Sequence, residues 1–311
     1  MTGGHASARN LLTIVAMSVA EKLPVSPPED SVAASEVSLY RNVLKIKQEH
    51  ELENLGISFY DSETTIQWSF NADHYFHAAS TMKLAVLLGV FRQVERGELA
   101  LDSAVHVRNR FTSIVNQEPF MLDLGRDADP DVYGHLGKTL TVRELAYWMI
   151  TKSSNLATNL LVEIVGVPTI QHALDELEID GIRILRGVED QAAFEAGLNN
   201  EVTANGLLKL LRLVADGRAY SKKSSEEMLN IMLEQQYRSG IPAGLPKAAR
   251  VAHKTGNIST VHHDAGIVFV EDRKPYVLVI LTQFPAESAR GTAVADVSRD
   301  IYNTIAGMTY E

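Results

Sequence analysis

The sequence predicts an α+β fold: an antiparallel sheet built from both chain ends, flanked by helices and packed against an all-helical lobe. Three observations carry this expectation. β-rich runs lie towards both ends of the chain, at 55–70 and 266–281. The long stretch between them reads as a succession of helices. The two runs at the C-terminal end are continuously apolar, as strands are when helices cover the sheet. The expected division is an α/β lobe from 31–78 plus 248–311, a helical lobe over 79–247, and an N-terminal extension or signal segment over 1–30. A cleft is expected between the lobes.

Each element has a local reason. Residues Ser35 to Gln48 mix apolar and charged positions and read as a surface helix. Leu55–Tyr60 and Thr65–Phe70 are rich in β-branched and aromatic residues, and Asp61-Ser62-Glu63 between them predicts a hairpin. Ser80 to Glu95 is long and largely apolar, with Gly97 as its stop. Thr141-Val142-Arg143-Glu144 fits a capping box and opens a helix through Thr151. Asn155–Val165 forms the next helix, closed by Gly166, and Pro168 suits the first turn of another. Further helices are expected over Val202–Ala215 and from Ser224. Gly266–Val270 and Tyr276–Leu281 flank a turn at 271–275, and Ser288–Ile305 has helical spacing.

The chain has 311 residues, 45% of them hydrophobic, enough for a large core. Its formal net charge of −10, with no basic patch, argues against a nucleic-acid partner. The absence of cysteine removes disulfides, thiolate catalysis and cysteine-ligated zinc. No run reaches the roughly 18 apolar residues that a membrane span needs. Arg9 followed by Leu11 to Ala20 has the dimensions of an export signal, and a short ordered helix fits the same residues. A periplasmic or secreted location is favoured, with a cytoplasmic one open.

Chemistry enters at Ser80-Thr81-Met82-Lys83. On a helix, residues three apart share a face, so a lysine amine lies within reach of a serine hydroxyl. Such a hydroxyl needs a base to become a nucleophile. Lysine serves as one when burial or a neighbouring cation lowers its pKa. Two more motifs follow: Ser153-Ser154-Asn155 between two helices, and Lys254-Thr255-Gly256 ahead of the terminal strands. The three occur in the order Ser-x-x-Lys, Ser-x-Asn, Lys-Thr-Gly. His74 with His77, and His262-His263-Asp264, lack a complete ligand set by spacing, so no metal is expected.

With these motifs the chain resembles the serine β-lactamase and penicillin-binding (DD-peptidase) superfamily, and class A β-lactamases most closely. The resemblance runs from about Ser35 to the C-terminus and includes Thr141–Leu145 and Asn155–Leu161. It implies an α/β sandwich beside a helical lobe, no cofactor, and a small-molecule substrate, either a β-lactam or a D-alanyl peptide. Ser80 would form the acyl-enzyme and Lys83 would activate it. Ser153 would pass a proton to the leaving nitrogen. Lys254 would supply positive potential, hold a substrate carboxylate with Thr255, and depress the pKa of Lys83. The N–H groups of Ser80 and Asn257 would form the oxyanion hole beside Gly256, and Asn155 would bind a substrate amide or Lys83. A DD-peptidase, an esterase or a penicillin-sensing domain could use the same residues.

Two departures stand out. Ser154 occupies the place where class A usually has aspartate. The water-activating glutamate has two candidates: Glu195, in Glu195-Ala196-Gly197-Leu198-Asn199, is favoured on its letters, and Glu189 competes by its distance from Ile184-Leu185-Arg186. A pair of solvated loop acids is the remaining alternative. The segment from Arg108 to Lys138 is longer than the resemblance implies, and it reads either as a border of the cleft or as a surface insertion.

Overall fold

The structure is a computed structural model that describes residues 31–285 and 291–307. The signal-like residues 11–20 and the expected helix start at Ser288 lie outside them. Helix α1 (Ser31–Glu49) leads to the hairpin β1 (Asn54–Asp61) and β2 (Gln67–Phe70). Short β3 (Phe76–His77) precedes a 3₁₀ turn, Ala79–Met82, which runs directly into α2 (Lys83–Glu95). Four small strands follow: β4 (Ala104–His106), β5 (Phe111–Thr112), β6 (Pro119–Phe120) and β7 (Thr139–Thr141). Helices α3 (Val142–Thr151), α4 (Asn155–Val165) and α5 (Val167–Glu176) come next. Then come β8 (Ile182–Arg183), α6 (Gln191–Glu195), β9 (Glu201–Val202), α7 (Ala204–Ala215) and α8 (Lys222–Leu233). Strands β10 (Arg250–Ile258), β11 (Val261–Phe269), β12 (Tyr276–Gln283) and helix α9 (Ala293–Gly307) complete the described chain.

The two ends meet in one antiparallel sheet of order β10-β11-β12-β1-β2. β1 pairs with β12 along its whole length, from Asn54 opposite Gln283 to Asp61 opposite Tyr276. The apolar run of β12 splits by the two-residue period of a strand. Val277, Val279 and Leu281 pack with the core that contains α2, α4 and α7. Tyr276, Leu278 and Ile280 face the other way, against Leu39 and Val43 of α1 and Val297 and Ile301 of α9. Burial on both faces is why this strand shows no polar alternation.

Two differences from the sequence reading position the site. At the C-terminal end the hydrophobic pattern predicts the strand pair 266–281 with Lys254-Thr255-Gly256 at the edge of the sheet, and the structure makes that edge a full nine-residue strand, β10, which carries Lys254. Its His253, Lys254 and Thr255 are buried polar residues, so apolar periodicity does not announce it. The helix expected from Ser80 is divided: Ser80 lies in the 3₁₀ turn and Lys83 begins α2. Gly256 of β10 lies against that turn. A β-carbon there would sit 3.0 Å from Thr81 Cγ2 and 3.2 Å from Ala78 O, so only glycine lets the strand approach so closely.

Candidate active site

The turn carrying Ser80 is held from several sides. Ala79 has a φ of +45°, the left-handed region that a residue with a β-carbon rarely occupies. Its N–H donates to His77 Nδ1 at 3.1 Å. Ala78 N–H donates to Asn200 O at 2.8 Å, and Thr81 Oγ1 donates to Ala78 O at 2.5 Å. His263 lies behind. Its Nδ1 accepts from Thr282 N–H at 3.1 Å, so the proton sits on Nε2, which donates to His77 O at 3.0 Å. Burial pushes the His263 pKa down to about 3, which keeps this arrangement neutral. These histidines hold backbone.

Lys83 and Lys254 are both fully buried and converge on Ser153. Lys83 Nζ donates to Ser153 O at 2.7 Å, to Ser153 Oγ at 3.2 Å and to Asn155 Oδ1 at 2.9 Å. Lys254 Nζ donates to Ser153 Oγ at 3.0 Å and to Thr255 O at 2.8 Å. With two donors on its oxygen, the Ser153 hydroxyl has its own proton free to point elsewhere. Burial lowers the Lys83 pKa to about 7, against the opposing pull of Asp127 and Glu189. Burial also lowers that of Lys254, with the charge of Lys83 second and Asp264 opposing. On the other face of β10, His253 Nδ1 meets Asp264 Oδ1 at 2.8 Å, and Asp264 Oδ2 accepts Ile241 N–H at 2.8 Å. This buried pair anchors the strand beside Lys254.

Asn155 links the two halves of the site. Its Oδ1 accepts from Lys83, and its Nδ2 donates to Glu189 Oε1 at 2.7 Å. Glu189 Oε2 accepts Asp123 N–H at 3.3 Å. Glu189 lines a cavity of about 450 Å³ together with Ser80, Asn155 and Asn257. Thr255 and Gly256 are buried behind it in β10.

The structure places Glu195, the candidate favoured on its letters, outside the cavity. It lies exposed at the end of α6, where its Oε1 accepts from Gln191 Nε2 at 2.9 Å, and it does not line the cavity. The letters Leu198-Asn199-Asn200 serve another purpose. Asn200 Oδ1 accepts the N–H groups of Leu185 and Arg186, and its Nδ2 donates to Arg186 O. The Arg186 guanidinium donates to Leu198 O, Gly187 O and Asn199 Oδ1. The asparagines therefore close the base of the 185–200 loop. Glu195 rides on the outside of that loop, and Glu189 faces in.

Asp127 is the residue that sequence reasoning did not place. Its Oδ1 and Oδ2 accept the N–H groups of Asn155 and Leu156, each at 2.9 Å. Ser154 caps α4 by accepting Ala157 N–H. The first-turn donors of α4 are thus shared between Ser154 and a carboxylate from the 108–138 segment. The same segment is pinned to the glutamate loop, because Asp190 accepts from Ser113 Oγ at 2.8 Å and Ile114 N–H at 3.0 Å. The segment is therefore part of the cleft wall. Its aspartates at 123, 127, 129 and 131 carry no periodic signal that could single one out.

Fold and site define a serine hydrolase with a mixed sheet-and-helix architecture. The chain belongs to the β-lactamase enzyme family, whose model matches residues 38–305. A β-lactamase of Bacteroides uniformis is 25% identical over 85% of this chain and 94% of its own length. β-Lactamase L2 of Stenotrophomonas maltophilia is 27% identical over 95% and 94%. Among solved structures, a point mutant of PBP-A, in acyl-enzyme complex with penicillin G, matches with a TM-score of 0.71 at 25% identity, covering 87% of this chain and 98% of that one. A β-lactamase from Xanthomonas campestris has the same fold, with a TM-score of 0.75 at 22% identity, covering 87% and 98%.

Proposed function

We propose that this chain is a hydrolase of the class A β-lactamase type, which opens a β-lactam amide through an acyl-enzyme on Ser80. The observation that carries this reading is the continuous set of hydrogen bonds from Lys254 through Ser153 and Lys83 to Asn155 and Glu189. Neutral Lys83, which gives up one of its three donated hydrogen bonds, takes the proton of Ser80 on its lone pair as the hydroxyl oxygen attacks the carbonyl carbon. Oxygen charge that develops is met by the N–H groups of Ser80 and Asn257, each such donor being worth about 3 kcal/mol of barrier. The C–N bond breaks as Ser153 delivers its proton to the nitrogen and takes in its place the one that Lys83 gained from Ser80. Lys254 and Thr255 hold the substrate carboxylate. Glu189 then takes a proton from water, whose oxygen attacks the ester, and the Ser80–carbonyl bond breaks as that proton is returned to the Ser80 oxygen.

The alternative on the same residues is a DD-peptidase or esterase. It is favoured by one feature, a second cavity of about 410 Å³ on the far side of Glu189, bordered by Phe120 and Asp123. This gives room for a longer acyl chain. A penicillin-sensing domain would share the acylation chemistry without the release step. A chromogenic cephalosporin and a fluorescent penicillin, followed together, separate these readings. Turnover that disappears in Ser80→Ala supports the lactamase. Stable labelling without turnover supports the peptidase or the sensor. A protein without any Ser80-dependent reaction would overturn the proposal.

A further inference from the structure

Arg126 lines both cavities, the one containing Ser80 and the one beyond Glu189. Its backbone is fixed. Arg126 N–H and Asp127 N–H donate to Asp123 O at 3.0 and 3.2 Å, and the next residue, Asp127, is bonded to the N–H groups of Asn155 and Leu156. The position of this arginine is thereby set relative to the loop that carries Glu189. Its guanidinium, with five donors, is in no ion pair among the described residues.

The carboxylates lining these cavities accept hydrogen bonds from neutral donors and form no ion pair with Arg126 among the described residues. Glu118 Oε2 accepts from Asn116 Nδ2 at 3.0 Å, and Asp123 Oδ1 accepts Gly125 N–H at 2.8 Å. Glu189 holds Asn155 and Asp123 N–H, and Asp190 holds Ser113 and Ile114 N–H. The other arginine of the first cavity, Arg186, spends its donors on its own loop. Arg126 is thus a planar bidentate donor, presented on a rigid turn towards the side of the cleft where the acyl group of a substrate would lie.

We propose that Arg126 forms a subsite for a carboxylate on the acyl side chain of the substrate. The subsite rests on the acyl-enzyme reading above, and it is distinct from the Lys254–Thr255 end that would hold the ring carboxylate. The preferred substrate is then anionic at both ends.

Benzylpenicillin and its α-carboxy analogue differ by that one group. The test is the second-order rate of Ser80 acylation by each, followed by intact mass in a Glu189→Gln background and by competition for turnover with Glu189 present, each with Arg126, Arg126→Gln and Arg126→Lys. Arg126→Gln should cut the ratio of the carboxylated to the parent rate about threefold to fivefold, the upper worth of one exposed ion pair, and leave the parent rate within about twofold. Arg126→Lys should restore part of the ratio. A ratio unchanged in Arg126→Gln, with both adducts still forming, overturns the subsite alone. Absence of both turnover and adduct with either penicillin in the wild type overturns the acyl-enzyme reading and the subsite with it.

Discussion

The carboxylate of Asp127 accepts the backbone N–H of Asn155 at 2.9 Å, 28 residues away in sequence. That bond ties the inserted segment to the loop that orients both lysines. Asp127→Asn keeps the shape but removes the charge and one acceptor. Charge-assisted hydrogen bonds of this kind contribute about 1.5–3 kcal/mol, so acylation should slow about tenfold or more. The variant carries a second signature. Asp127 opposes the burial that depresses Lys83, so without it the Lys83 pKa drops further and the acid limb of acylation moves to lower pH. A slower enzyme with an unmoved limb would limit Asp127 to structural support.

The pH profile of the wild type follows from Lys83 itself. If neutral Lys83 is the base, acylation rises with pH and levels off above about 7, the value to which burial lowers this amine. The sign for stability agrees. Between about 7 and the ordinary lysine value the unfolded chain binds a proton that the folded one does not, so this group makes the fold more stable as pH rises through that window. Stopped-flow acylation from about pH 5 to 9 checks the first statement, and denaturant titration from about pH 7 to 10 checks the second.

Glu189→Gln keeps the hydrogen bond from Asn155 but removes the proposed base. The acyl-enzyme should accumulate stoichiometrically, with turnover reduced by about 100-fold or more, within the roughly 10²–10⁴-fold range of general-base contributions. Glu195→Gln should leave turnover unchanged, since Glu195 contacts Gln191 on the exposed side of its loop. Intact-mass spectra after mixing with benzylpenicillin distinguish the two. The reverse pattern would restore Glu195 as the base.

Gly256→Ala places a methyl group 3.0 Å from Thr81 Cγ2 and 3.2 Å from Thr81 N. Overpacking of this kind costs about 1–3 kcal/mol, and the strain falls on the turn that bears Ser80. Thermal unfolding should move down by several degrees, and acylation should slow more than the stability loss alone explains. Unchanged acylation with a lowered midpoint would show that β10 yields instead of the turn.

Much of this molecule is legible in its residues. The run Tyr276–Leu281 predicts a buried strand because each of its faces needs apolar cover, and α1 and α9 supply one side of that cover. The capping box at Thr141 and Glu144 forms as the local pattern dictates. Ser80, Lys83, Ser153 and Lys254 are recognisable because their spacing repeats a known order. Strand β10 is less legible. Its central residues are polar, and they are buried only because a cleft closes over them.

The sequence by itself determined the elements, the sheet with its helical cover and the identity of the candidate acylating residues, since these rest on local periodicity and short spacings. Tertiary structure decided which glutamate faces the cleft, and it chose against the letters. Glu195 matches a local pattern, but Asn199, Asn200 and Arg186 use that pattern to close a loop, which turns Glu189 inward at a φ of +60°. It also decided that Asp127 holds the first donors of α4 and that Arg126 faces the cleft. Both come from contacts between segments far apart in the chain, which no window of neighbouring residues encodes.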